Sequence, residues 1–301
     1  MSDGVCRPRR REGSPCSVSA LVTKMTDVLR PSLRDAALSE ARELLALLHD
    51  KPRHWPVVFA SQLLSVSDAE TALRAATRRA AGAPIQYAAG RAAFRHLTLD
   101  VDERVLIPRP ETEQLVEIVL GLTMAESGGT AVDVGTGSGA IALALATEGR
   151  FDRVIATDVS LDALVVARGN AERYADRRCA RFELRQGSLL DPVPERGLRA
   201  IVSNPPYISF DEAAALPASV RNWEPSVALF SASNGLATTE RLVREAASAL
   251  APAGVLALEV DARRAGAVAE LVRTLGSYVD VQLLPDLTGR DRFVVARRLE
   301  E

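Results

Sequence analysis

Two hydrophobic spacings divide the chain. From Leu33 to about Gly82, apolar residues return at steps of three and four, as on one face of a helix. Leu38, Ala41, Leu45 and Leu48 predict one helix; Trp55, Val58, Phe59 and Leu63 a second; Val66, Ala69, Leu73, Ala76 and Ala80 a third. Ser67-Asp68-Ala69-Glu70 reads as a capping box for the third. Gly82-Ala83-Pro84 closes this part, and Leu97, Leu99, Val101, Val105 and Ile107 then alternate with polar residues around Asp102-Glu103. That alternation predicts a β-hairpin, so residues 83–108 read as a linker between a helical domain at 25–82 and a second domain at 109–301.

Beyond the linker, short apolar runs alternate with helical stretches. Strands are expected at Thr130–Val134, Val154–Thr157, Ala180–Arg185, Ala200–Ser203 and Val255–Val260. Helices are expected at Gly139–Thr147, Leu161–Ala175, Thr238–Leu250 and Ala262–Leu275, and Pro110 reads as the first residue of another. Two final strands, near Val279–Leu284 and Phe293–Arg297, have no helix between them and predict an antiparallel hairpin. The fold class is α/β, a mostly parallel sheet covered on both faces, with ligands expected at the carboxyl ends of its strands.

Composition narrows the chemistry. Hydrophobic residues are 47% and charged residues 25% of 301 positions, an ordinary globular profile of about two domains. The net charge of −2 and 4% aromatic content argue against a protein held to nucleic acid by a broad basic surface. Three cysteines and three histidines, none at metal-ligand spacing, argue against a zinc enzyme or a disulfide framework. No apolar run reaches the roughly 18 residues of a membrane span, so a cytoplasmic enzyme is expected. Residues 1–24 carry Arg7, Arg9, Arg10, Arg11 and Lys24 among Gly and Pro, and read as a disordered tail. A basic arm for RNA, or a natural start at Met25, are the alternatives.

Two loops carry the candidate chemistry. In Asp133-Val134-Gly135-Thr136-Gly137-Ser138-Gly139 a strand turns into a helix through three glycines, where backbone can approach a ligand without a Cβ intervening. Asp158, ending the next strand roughly 20 residues on, can accept both hydroxyls of a ribose. Gly135, Gly137 and Ala140 also satisfy a dinucleotide pattern, while Gly139 and Asp133 favour S-adenosylmethionine, whose ammonium a carboxylate can face.

The second loop, Asn204-Pro205-Pro206-Tyr207, follows a strand directly. Two prolines fix the backbone and remove two donors, Asn204 adds a side-chain oxygen, and Tyr207 adds a flat face. Such a loop can accept both hydrogens of a planar –NH2 group and orient its poorly nucleophilic nitrogen for methylation without a general base.

On these residues the chain resembles the HemK-type peptide chain release factor glutamine methyltransferases. The resemblance spans roughly residues 30–299 and also includes Pro84-Ile85-Gln86-Tyr87, Leu106-Ile107-Pro108-Arg109-Pro110-Glu111-Thr112-Glu113, Glu224-Pro225, Gly235-Leu236 and Asp286-Leu287-Thr288-Gly289. It implies a Rossmann-like class I S-adenosylmethionine-dependent methyltransferase sheet behind a small helical substrate-recognition domain. It implies that Gly135, Thr136, Gly137, Ser138, Gly139 and Asp158 bind the cofactor, with Asn204 near its methyl end. Asn204, Pro205, Pro206 and Tyr207 would hold the glutamine of a Gly-Gly-Gln loop in class I release factors, with Asn204, Pro205 and Tyr207 as the catalytic set. Arg109 and Glu111 either shape the substrate site or lock the hairpin to the sheet.

The chain departs from the family in three places. Ser188-Leu189 stands where an acidic and then an aromatic residue usually meet adenine, so Ser188 and Leu189 become the candidate adenine contacts. Asp261 replaces a glycine after Glu259-Val260, and Ser231-Ala232-Ser233-Asn234-Gly235 stands where Gly-Gly commonly precedes Asp-Gly. Competing readings are methylation of a ribosomal protein or of an exocyclic amine on RNA or DNA, a nicotinamide-dependent oxidoreductase, and a scaffold that only binds the cofactor.

Overall fold

The computed structural model describes residues 15–300. The chain divides into two compact units, one ending at Gly90 and the other beginning at Arg91.

The first unit is helical. Its helices are α1 (Val18–Leu33), α2 (Ala37–Leu48), the single turn α3 (Trp55–Val58), α4 (Val66–Ala80) and α5 (Ile85–Ala89). Ser17 caps α1, accepting from the Ala20 amide, and Val18, Leu21, Val22, Met25 and Leu29 form its buried stripe. Residues 15–24, expected within a tail, are therefore folded, and α1 begins ahead of Met25; residues 1–14 of that expectation lie outside the described residues. In α2 the buried stripe is Ala37, Ala41, Leu44 and Leu45, while Leu38 faces outward. The expected second helix shrinks to α3, and Val57, Val58, Phe59 and Leu63 are exposed. The capping box of α4 uses Ser65 and Asp68, two residues ahead of the expected pair, because Ser65 holds the extended conformation a cap needs.

The second unit opens with a hairpin, β1 (Arg91–Phe94) and β2 (Leu97–Asp100), pairing Phe94 with Leu97 around Arg95-His96. The turn thus lies ahead of the expected Asp102-Glu103, and Val105 and Ile107 are buried in an irregular segment. The hairpin is no free linker. Arg95 grips the Glu148 carboxylate at 2.7–3.1 Å, Tyr174 Oη donates to the Thr98 carbonyl at 2.9 Å, and Asn170 accepts from the Asp100 amide at 2.7 Å.

After helix α6 (Pro110–Thr123), strands β3 (Thr130–Val134), β4 (Arg153–Asp158), β5 (Arg181–Gln186), β6 (Leu198–Ser203) and β7 (Leu250–Glu259) are parallel. Helices α7 (Ala140–Glu148), α8 (Leu161–Arg173), α9 (Ala237–Ala249) and α10 (Ala265–Thr274) accompany them. Strands β8 (Tyr278–Pro285) and β9 (Asp291–Arg298) close the sheet as the expected antiparallel pair. The strand order is β8-β9-β7-β6-β3-β4-β5. This is the expected Rossmann-like class I methyltransferase sheet. Between β3 and β6 the order in which the chain adds strands reverses, although the two strands are parallel, and ligands of open α/β sheets sit at such a reversal.

Two apolar layers hold the sheet. Leu115, Val116, Val119 and most of α7 pack on one face, and Leu242, Val243, Val268 and Val272 on the other. The edge strand β5 carries an ionic ladder instead: Arg153 and Arg185 each bind both Glu183 and Glu195 at 2.7–2.8 Å.

Candidate active site

A cavity of about 430 Å³ opens at the reversal point, within the 300–1,000 Å³ range of small-molecule sites. Its wall includes Gly135, Gly137, Asp158, Ser188, Leu189, Asn204 and Pro206, together with Arg104, Val105, Leu106, Phe230 and Arg241. Two loops far apart in sequence are thus brought to one place because β3 and β6 are neighbours.

The glycine turn leaves β3 with φ of +75° at Gly135, +54° at Gly137 and +86° at Gly139. A Cβ at Gly135 or Gly137 would touch nothing within 4 Å, so their missing side chains leave room on the cavity wall. The loop's own amides are turned inward: those of Gly135 and Thr136 donate to the Thr157 carbonyl, and that of Gly137 to Asp158 Oδ2 at 2.9 Å. The loop thus presents space and backbone edge to a ligand, while the amides of Gly135, Thr136 and Gly137 are already engaged. Thr136, Ser138 and Gly139 lie off the wall. The Thr136 hydroxyl donates to Asp133 Oδ2 at 2.6 Å, and the Ser138 carbonyl accepts from Asn170.

Asp133 is wholly buried and closed off from the cavity, with Oδ1 lacking a partner among the described residues. It does not face a ligand ammonium directly. Its Oδ2 ties the strand end to the Ala142 amide at 3.0 Å, and burial pushes its pKa up to about 7. Asp158 stays on the wall, also raised by burial, with the Gly137 and Ser160 amides holding its two oxygens in place. Ser188 Oγ is engaged by Arg241 at 3.1 Å. Leu189 takes a left-handed backbone, φ +50°, an uncommon conformation for a branched apolar residue and one that marks a constrained site.

Asn204 reaches the wall from the end of β6. Its Nδ2 donates to Thr112 Oγ1 at 3.2 Å, and that hydroxyl donates to Glu259 Oε2 at 2.7 Å. Pro205 is buried, and Tyr207 lies behind the wall, where burial first and then Glu259 hold its phenol protonated. Arg109 also lies off the wall, gripping the buried Glu224 carboxylate at 2.6 and 2.7 Å, and Glu111 is off it too. The pair Arg109–Glu224 ties the start of α6 to the excursion that follows Tyr207.

Thr112 and Glu259 went unread in the sequence. Thr112 sits in the Pro-Arg-Pro-Glu-Thr-Glu run and Glu259 ends a parallel strand, the place where such sheets put site residues.

The model of the methyltransferase small domain family matches residues 112–217. The chain is 45% identical over 228 residues to the release factor glutamine methyltransferase of Moorella thermoacetica, covering 76% of this chain and 80% of that one. It is 41% identical over 268 residues to that of Cereibacter sphaeroides, covering 87% and 92%. Among solved structures it superimposes on the hMettl16 catalytic domain in complex with MAT2A 3′UTR hairpin 6, with a TM-score of 0.53 and 16% identity, covering 79% of this chain and 84% of that one. That likeness carries the sheet architecture alone, whereas the level and reach of the sequence identities place this chain in the release factor glutamine methyltransferase family.

Proposed function

We propose that this protein methylates the side-chain amide nitrogen, N5, of the glutamine in the Gly-Gly-Gln motif of class I release factors, using S-adenosylmethionine. The observation that carries the reading is Asn204, held through Nδ2 beside the cavity so that Oδ1 is left as an acceptor. The residues fit the cofactor: Gly135 and Gly137 leave room on the wall, Asp158 meets a ribose, and Leu189 covers one side of an adenine. When bound, S-adenosylmethionine supplies an electrophilic sulfonium methyl.

In this reading Asn204 Oδ1 and the Pro205 carbonyl accept the two amide hydrogens of the substrate. That raises electron density on nitrogen and fixes it in line with the methyl. Pro205 and Pro206 lend the loop stiffness, and Tyr207, kept protonated, serves as an aromatic support and no base. The amide gives up its surplus proton to solvent after the N–CH3 bond forms. Arg109 and Glu111 act by shaping the loop that receives the substrate. The helical unit recognises the body of the release factor, in the cytoplasm, with no stable hold on nucleic acid.

Incubation with a class I release factor and methyl-labelled cofactor should label the Gly-Gly-Gln glutamine. Label that survives replacement of that glutamine, or that goes to RNA instead, would overturn the assignment. Asn204→Ala should lower turnover by about 10²–10³, as for the loss of one preorganised polar group.

A further inference from the structure

Behind Asn204 the start of α6 and the end of β7 meet through one hydroxyl. Thr112 is 5% exposed and Glu259 is 2% exposed. A threonine hydroxyl has a single hydrogen, and Thr112 directs it to Glu259 Oε2 at 2.7 Å. Its oxygen can then only accept, and it accepts from Asn204 Nδ2. Once ionised, above about pH 7, the Glu259 carboxylate has no hydrogen to give, and it then sets the direction of the whole chain of bonds. The two ends of an asparagine amide have nearly the same shape, and packing alone does not choose between them. With the amide reversed, Asn204 would turn N–H donors toward a substrate –NH2 group, donor against donor.

We propose that Thr112 and Glu259 are positioning residues that lock the Asn204 amide with Oδ1 toward the substrate. This rests on the amide-methylation reading above. Neither residue lines the cavity, so both act through Asn204. Burial raises the Glu259 pKa to about 7, with Glu111 adding to the rise, while the Thr112 hydrogen bond, Arg292 and Arg109 favour the ionised form.

The test pairs Thr112→Val, which keeps the shape and removes the hydroxyl, with Thr112→Ser, which keeps the hydroxyl. In side-chain amide NMR of the full chain, one Asn204 Nδ2 proton should be shifted and protected in the wild type and in Thr112→Ser, and lose both features in Thr112→Val. With release factor, Thr112→Val should lose about 10- to 100-fold in kcat, the scale seen for outer partners of preorganised sites. KM and cofactor affinity should stay within about twofold, and Thr112→Ser should stay near wild type. Should Thr112→Val fail to fold, Glu259→Gln, which can donate as well as accept, should broaden or double the Asn204 signal. An Asn204 signal that ignores both substitutions, or a kcat loss matched by lost cofactor binding, overturns the proposal. A wild type that shows the signal but leaves release factor unlabelled overturns the substrate assignment alone.

Discussion

Glu259 and Asp133 are carboxylates in dry surroundings, and burial pushes each up to about 7. In the unfolded chain both shed their protons near the ordinary carboxylate values of about 4. Between about 4 and 7 the folded chain keeps protons that the unfolded chain has lost, so rising pH costs stability. The contribution is complete below about 4 and gone once pH has passed about 7. Glu259→Gln has nothing to ionise and escapes its share. Its melting temperature should therefore gain on the wild type as pH is raised from 5 to 8; a gap that ignores pH would refute the buried titration. Asn204 and Asp158 were legible in the sequence because a strand end followed by a loop announces its own place in the sheet. Glu259 was not. Its neighbours Thr112 and Asn204 come from distant parts of the chain, and no local spacing encodes that meeting.

At the scale of elements, strands and helices of the sheet were readable to within a few residues, since buried runs and amphipathic stripes are strong signals there. The first helix was missed although Val18, Leu21, Val22 and Met25 keep helical spacing. Serines, threonines and nearby arginines diluted it into what looked like a tail. A chain begun at Met25 loses Val18, Leu21 and Val22 from the core. At about 1.5–3 kcal/mol for each buried aliphatic side chain, the helical unit should lose its cooperative melting transition in calorimetry. A transition kept at its original temperature would show that the first two turns of α1 are dispensable. Gly235 makes a second case. At φ +83°, an added Cβ would lie 2.2 Å from the Tyr207 carbonyl oxygen. Gly235→Ala should cost about 2–4 kcal/mol in denaturant unfolding, through backbone strain and displacement of the Asn-Pro-Pro-Tyr loop.

For the whole molecule, the apolar residues sort into separate cores. One is built from residues of the first unit, and two cover the sheet faces of the second. Every residue on the cavity wall, from Arg104 to Arg241, belongs to the second unit. A fragment beginning at Arg91 should therefore bind S-adenosylmethionine within about threefold of the full chain by calorimetry, since the same wall is present. A loss of binding beyond about tenfold would show that the first unit completes the site. The division falls inside the 83–108 segment read from the sequence as a hairpin linker, but alternating residues announce a hairpin without saying what it packs on. Arg95, Thr98 and Asp100 decide that, by bonding to α7 and α8.

The ionic ladder on β5 has a consequence for the company the sheet keeps. A parallel sheet with a bare outer strand offers unpaired amides and carbonyls to any passing chain, which is how aggregates and swapped dimers begin. Here Glu183 and Arg185 stand on that strand and are bound to Arg153 and Glu195. A newcomer strand laid along β5 would have to strip water from these charges while offering them no better partners. Among the described residues the sheet has seven strands, and the ladder lies along its outer edge like a hem on cloth.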